Sequence, residues 1–137
     1  MNVKIASVVF ESTNAEELMK FWAALLAAPS AFNPESGWGA VVADNVTIST
    51  KPVQLQELPG LEKGSRVHLD IEVENLESAT DKAVALGATI KRGPFGEAET
   101  GQYTVFADID GNAFCLYTDP AGAHGEIIEA IRSGVIS

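Results

Sequence analysis

Cysteine and histidine are both scarce in this sequence. Its 137 residues include a single cysteine, Cys115, and two histidines. One cysteine excludes an intrachain disulfide, so a folded domain must be held together by its hydrophobic core. Hydrophobic residues make up 46% of the chain and charged residues 20%, which is typical of a globular domain. We therefore expect one domain, which at this length buries roughly two-thirds of its unfolded surface.

Positive charge is also in short supply. Lysine and arginine together number 9 against 19 aspartates and glutamates, which gives a formal net charge of −10. Such a surface repels phosphate backbones and anionic membranes, so we expect neither nucleic acid nor a membrane as a partner. No segment approaches the roughly 18 apolar residues of a membrane helix, and no signal-peptide pattern is present. We therefore expect a cytoplasmic protein.

Several common functional motifs are missing as well. The sequence has no glycine-rich phosphate loop, no Ser-His-Asp signature and no cluster of metal ligands at a recognised spacing. Because these motifs are absent, the fold is the main source of information about the function.

One pattern occurs twice along the chain, and its first copy begins near the N-terminus. The β-rich residues 4–11 lead into Asn14, a predicted helix N-cap with Glu17 placed for a capping box. Apolar residues, among them Trp22, then recur at helical spacing as far as Pro29. This spacing predicts an amphipathic helix with Trp22 in the core.

The second copy has the same order. Residues 67–73 alternate between apolar and polar and lead into Asn75, a second predicted N-cap. A helical stripe follows and ends at Gly87, a typical residue just beyond a helix. Three strands are predicted after each helix, at residues 31–33, 38–43 and 46–51 in the first copy and at residues 88–91, 103–108 and 113–118 in the second.

These elements divide the chain into two modules of one domain. The boundaries are residues 1–52 for module one, 53–65 for a linker, 66–120 for module two and 121–137 for a C-terminal tail. Apolar residues from Ile127 to Val135 recur at helical spacing, so the tail is predicted to form a short helix.

This arrangement resembles the vicinal oxygen chelate superfamily, in its glyoxalase and bleomycin-resistance branch of small bacterial proteins. The resemblance rests on His68-Leu69-Asp70, on Ala85-Leu86-Gly87-Ala88 and on the segment from Ala107 to Leu116, in which Ile109 replaces the family's usual proline. It implies an α+β fold of two βαβββ modules related by a pseudo-two-fold repeat. It also implies a curved mixed sheet that forms a ligand cleft between the modules.

The same resemblance implies where a metal would bind. Relatives place ligands on the first and last strands of each module, and these positions correspond here to Ser7, Thr47, His68 and Cys115. The choice of Thr47 rests on aligning Thr50-Lys51-Pro52 with Thr118-Asp119-Pro120, the two similar Thr-x-Pro segments. Serine and threonine hydroxyls are weak ligands, whereas a catalytic zinc normally has three protein donors and hard cations need carboxylates. We therefore expect no metal and no cofactor, with a divalent metal as the alternative.

The alternation nevertheless predicts a polar cavity wall. His68 and Asp70 share a strand face opposite the apolar one, and Cys115 and Thr47 lie on the corresponding faces of the last strands. His68 is either a ligand-binding residue or only a hydrogen-bond partner of Asp70. Cys115 is either part of the site or an inert hydrophobic residue.

Two aromatic residues complete the candidate site. Trp38, between two glycines, is predicted either to stack on a ligand or to pack at a strand edge. Tyr103 follows the glycine-rich residues 93–101, which form either a flap or an ordinary hairpin connection.

Three functions are open at this point. The first is metal-independent binding of a small organic molecule, by sequestration or carriage as in bleomycin-resistance proteins. The second is a metal-dependent lyase, isomerase or dioxygenase that recruits its ion through non-standard ligands. The third is an interaction or regulatory module with a vestigial cavity. The missing ligands favour the first, and the resemblance together with the apolar tail predicts a homodimer.

Overall fold

Each half of the chain forms a strand, a helix and then three strands, as the repeat predicts. The computed structural model describes residue 5, residues 7–54, residues 68–122 and the positions 126, 130, 131, 133 and 134. The chain divides into two units, Met1–Gly64 and Ser65–Ser137, each with its own mixed four-stranded sheet.

The first unit builds its sheet around one parallel strand pair. Its elements are β1 (Val8–Ser12), α1 (Ala15–Leu26), β2 (Ser30–Phe32), β3 (Gly39–Val42) and β4 (Thr47–Pro52). The strand order is β1-β4-β3-β2, with β1 parallel to β4 and the other pairs antiparallel. The parallel pair joins the first and last strands, so the helix and the two intervening strands form the crossover.

The second unit repeats this topology. Its elements are β5 (Leu69–Glu72), α2 (Leu76–Ala85), β6 (Thr89–Glu97), β7 (Gly101–Ala107) and β8 (Ala113–Tyr117). The strand order is β5-β8-β7-β6, and β5 is parallel to β8. Neither helix in the described part of the chain is long and apolar enough to cross a membrane.

The core of the first unit lies between α1 and its sheet. Leu18 and Trp22 are fully buried on the predicted helical stripe, and the Trp22 ring meets Phe10 edge-on at a centroid distance of 5.7 Å. Gly39 leaves the space that α1 occupies, since a Cβ there would lie 2.9 Å from the Cβ of Met19 on α1. The helix can therefore approach β3 closely only because residue 39 has no side chain.

The core of the second unit lies between α2 and its sheet. Phe106 and Phe114 are fully buried and stack with their ring centroids 5.1 Å apart. The turn before β8 is built around the buried Asp108, whose carboxylate accepts hydrogen bonds from the backbone of Asp110 and from Asn112. This network fixes the point at which β8 begins.

The two helix N-termini differ from each other. Asn75 caps α2 as predicted, with its side-chain oxygen accepting a hydrogen bond from the Ser78 backbone at 2.8 Å. The capping box predicted at Asn14 is wrong, because the Asn14 side chain makes no cap hydrogen bond. The Ser12 hydroxyl instead accepts a bond from the Asn14 backbone N–H.

The largest difference from the sequence analysis is in β6. This strand was predicted to span residues 88–91, but it continues to Glu97, with register shifts on both sides of Arg92. Most of the glycine-rich segment before Tyr103 is therefore paired strand, and the hairpin interpretation is the correct one.

Part of the predicted organisation falls outside the described residues. The linker lies largely there, and so do most of the tail residues on which the C-terminal helix was predicted. That helix, the ligand cleft and the homodimer stay predictions.

The C-terminus of α1 provides a stability prediction. Ala27 adopts a left-handed conformation (φ 50°, ψ 46°), and the following N–H, that of Ala28, bonds back to the Ala23 carbonyl at 3.0 Å. Glycine adopts this conformation without the strain that a Cβ introduces. We expect Ala27→Gly to raise the free energy of unfolding by about 0.5–1 kcal/mol in urea denaturation.

The matched control is Ala24→Gly, an exposed position within α1. Glycine in a helix interior lowers stability by about 1 kcal/mol. A loss of stability in both variants would show that the left-handed position carries no strain.

Candidate functional site

Side chains of the second sheet separate cleanly between its two faces. Phe114 and Leu116 point towards α2 and are at most 1% exposed, whereas Cys115 and Tyr117 between and beyond them are half-buried on the other side. We call this second side the open face. It carries the following side chains: Asp70 and Glu72 from β5, Tyr103 and Val105 from β7, and Cys115 and Tyr117 from β8.

The parallel pairing of β5 with β8 places Asp70 directly opposite Cys115. His68, which immediately precedes β5, approaches Asp70 with its Nε2 atom 3.0 Å from Oδ1. Cys115 is the second neighbour of Asp70, and the negative charge of Asp70 acts on its thiol. Asp70 thus has two polar neighbours, and one possible metal-ligand atom from each of the three residues lies within 4.8 Å of the others.

This cluster is accessible from solvent. The side chains of His68 and Asp70 are 50% and 58% exposed, respectively, so a ligand can reach both. The 3.0 Å contact between them corresponds to the simpler of the two interpretations of His68. Because both side chains are exposed, the second interpretation, ligand binding, is also consistent with the structure.

The surroundings of Cys115 keep its thiol protonated. Burial raises the pKa of the thiol, and the neighbouring Asp70 carboxylate raises it further. The positive charge of Arg92 opposes this shift. A thiol with a raised pKa is a poor nucleophile near neutral pH, so Cys115 is available here as a hydrogen-bond donor.

A second carboxylate lies one step further along the same strands. Glu72 is opposite Tyr117 in the strand pairing. Burial is the main cause that raises the pKa of Tyr117, and the nearby carboxylates, Glu72 first among them, add to it. The open face therefore presents two carboxylates, each opposite a thiol or hydroxyl group of β8.

Aromatic side chains lie beside these polar pairs. Tyr103 is opposite Tyr117 in the antiparallel pairing, and its ring meets Phe95 of β6 at a centroid distance of 5.2 Å. Both rings are more than 40% exposed. Tyr103 is a predicted site residue, whereas Phe95 and Arg92 are not, because the outer half of β6 has the sequence pattern of a loop.

The remaining predicted site residues belong to the first unit. Ser7 precedes β1, Thr47 begins β4, and Trp38 precedes β3 with 39% of its surface exposed. The Trp38 backbone N–H bonds to the Ser36 hydroxyl at 3.2 Å. This position fits either interpretation of Trp38, stacking on a ligand or packing at a strand edge.

The equivalence of Thr47 with Cys115 needs correction. Val9 and Asp70 lie at the same distance before the N-cap asparagines, and their partners are Ser49 and Cys115, respectively. Strand pairing therefore makes Ser49 the counterpart of Cys115. The alignment of the two Thr-x-Pro segments was shifted by two residues, which kept the face right and the position wrong.

The three side chains of the cluster are of the types that bind zinc. Imidazole, carboxylate and thiolate are all zinc ligands, and three protein donors with one open position is the usual catalytic arrangement. His68, Asp70 and Cys115 supply one donor each. The set fits zinc in number and type, while a single carboxylate is too few for manganese or magnesium.

Solved structures with the same fold share little sequence with this chain. A glyoxalase/bleomycin resistance protein/dioxygenase family enzyme from Burkholderia phytofirmans PsJN is 15% identical, with a TM-score of 0.67 over 83% of this chain and 97% of its own. The fosfomycin resistance protein FosX from Listeria monocytogenes is 15% identical, with a TM-score of 0.68 over 86% and 94%. A mutant of that FosX was crystallised with Mn(II) and 1S,2S-dihydroxypropylphosphonic acid and has a TM-score of 0.66 at 15% identity over 85% and 90%.

None of the curated proteins matches the sequence well enough to be counted as a relative. The family comparison is more decisive, because the model of the glyoxalase-like domain matches residues 7–117 and thus both repeats. The chain belongs to the glyoxalase-like domain family of the vicinal oxygen chelate superfamily.

Proposed function

We propose that the open face of the second sheet binds a small neutral or cationic organic molecule without a metal ion. The observation that carries this proposal is the position of Asp70, an exposed carboxylate with His68 Nε2 at 3.0 Å and Cys115 directly opposite on the next strand. A carboxylate fixed in this way is a preorganised acceptor for a ligand N–H or O–H group.

The neighbouring groups support the same ligand class. The exposed rings of Tyr103 and Phe95 offer an apolar surface for the body of the molecule. Asp70 and Glu72 lie on this face with Arg92 as a nearby positive charge, and the whole chain carries a net charge of −10. These charges disfavour an anionic ligand and favour a neutral or positively charged one.

The protonated thiol of Cys115 favours binding without a metal. A cysteine ligates a metal as the thiolate, so an ion at this site must displace a proton from a thiol whose pKa is raised. The same ion must also separate His68 from Asp70. Both costs oppose metal binding by these residues.

A metal-dependent lyase, isomerase or dioxygenase is the second candidate. It is favoured by one observation, the proximity of the three donor atoms within 4.8 Å. His68, Asp70 and Cys115 would then hold a zinc ion, which would supply a Lewis acid at the open face.

A binding measurement tests the first candidate. Saturation-transfer NMR with a library of small aromatic alcohols and amines identifies a probe, and its dissociation constant is then measured for His68→Ala and Asp70→Asn. We expect both variants to fold and to bind the probe about 5- to 150-fold more weakly, the range for a lost polar partner.

Asp44→Asn is the matched control, since Asp44 lies in the exposed β3–β4 turn and its loss of charge is the same. It should bind the probe as the unaltered chain does. Equal binding by all four proteins would contradict a site at Asp70, as would a large drop in melting temperature of His68→Ala with unchanged affinity.

Metal content separates the two candidates. The protein is produced in medium supplemented with zinc and manganese, and elemental analysis then gives the metal-to-protein ratio. Because the Cys115 thiol is protonated and Asp70 is already in contact with His68, we expect well below one ion per chain. A ratio near one that falls in His68→Ala would replace the first candidate with the second.

A further inference from the structure

A cavity of about 340 Å³ lies on the other side of the second sheet, between α2 and the strands β6 and β7. This volume is within the range of roughly 300–1,000 Å³ that is typical of small-molecule sites. Since α2 covers the opposite face from the His68–Asp70–Cys115 cluster, the cavity is a different site from the one proposed above.

The cavity exists because α2 covers only part of its sheet. Its main contacts are with β7 and β8, while every residue of the outer strand β6 is exposed. The register shifts on both sides of Arg92 bend β6 where Gly93 and Pro94 form part of the cavity wall. An edge strand without a helix above it thus leaves a recess instead of a packed core.

One polar side chain in this recess can bond to a ligand. Thr104 lines the cavity and is only 2% exposed, and its hydroxyl forms no hydrogen bond with any described residue. Every fully buried side-chain oxygen or nitrogen of the described residues has a hydrogen-bond partner, as Thr50 has in the Ala15 carbonyl at 2.9 Å, so the Thr104 hydroxyl keeps some access to solvent. A hydroxyl that has no protein partner and keeps this access can bond to a ligand in the cavity.

The cavity rim is negatively charged. Glu77 and Asp81 are four residues apart on α2, so they lie on the same face of the helix, and both line the cavity. Neither has an ion-pair partner among the residues that the structure describes. The opposite wall is apolar at Ile90 and Pro94. Two free carboxylates above an apolar wall are complementary to a positive charge attached to a hydrophobic group.

We propose that this cavity is a second ligand site, specific for a small organic cation. An ammonium group lies between the Glu77 and Asp81 carboxylates. A hydrogen-bonding group of the ligand reaches Thr104 and the Gln102 side chain, and the apolar part packs on Leu76 and Ile90. The ligand class is therefore a primary or secondary amine with a small apolar body.

Three probes of similar shape and different charge test this proposal on the full chain. Phenethylamine is the cation, 2-phenylethanol the neutral analogue and 3-phenylpropionate the anion, each titrated into ¹⁵N-labelled protein. We expect phenethylamine to bind at least about fivefold more tightly than the alcohol, and the anion most weakly. Its shift changes should centre on α2 and on residues 90–94 and 102–104. Equal affinities, or shift changes centred on the open face, would overturn the proposal.

Substitutions separate a binding role from a structural one. Asp81→Asn and Thr104→Val should each weaken phenethylamine binding about fivefold, and Thr104→Val should not lower the melting temperature, because its hydroxyl has no partner. Glu99→Gln, in the exposed β6–β7 turn, is the charge-matched control and should bind as the unaltered chain does. Unchanged affinity in Asp81→Asn, or a loss of stability in Thr104→Val, would contradict the cation site.

Discussion

The parallel pairing of β5 with β8 determines the chemistry of the second unit. It places Asp70 beside Cys115, and the antiparallel strands extend this row through Val105 to Arg92. Because side chains alternate between the faces of a sheet, a slip of β5 by one residue would turn Asp70 towards α2 and move Leu69 and Ile71 to the open face. Such a slip would bury a carboxylate without a partner, at a cost of several kcal/mol, and would also remove apolar side chains from the core. The polar cluster therefore depends on apolar residues that it does not touch.

The two units share a topology and differ in the groups that they present. Where the second unit has Asp70 opposite Cys115, the first has Val9 opposite Ser49. Both helices pack on one face of their sheet, which leaves the other face available for other uses in each unit. The two units thus have the same framework, and the carboxylates opposite a thiol or a hydroxyl lie in the second unit. The fold is shared with the family, while the residues that differ between the two units determine the ligand chemistry that we propose.

Sequence patterns predicted the elements whose physical signals are local. Strict alternation assigned Phe114 to the core and Cys115 to the opposite face, and helical spacing placed Trp22 in the core. Prediction failed where pairing between strands decides the outcome. The end of a strand is not encoded by one tripeptide, so the shared Thr-x-Pro segments misaligned Thr47. In β6, bulges interrupt the alternation and make a paired strand resemble a loop, which hid Arg92 and Phe95. The sequence indicated that His68 could contact Asp70, but the position of Cys115 beside Asp70 depends on the pairing of β5 with β8.

A crystal structure with a bound fragment tests most directly whether the Asp70 cluster is a metal-free ligand site. Crystals grown with zinc present would be soaked in a mixture of small neutral and cationic aromatic fragments. We expect density for a fragment with a donor group within hydrogen-bond distance of Asp70 and a ring against Tyr103, and no anomalous zinc peak. A zinc peak bound by His68, Asp70 and Cys115, or fragments bound only elsewhere, would contradict this account.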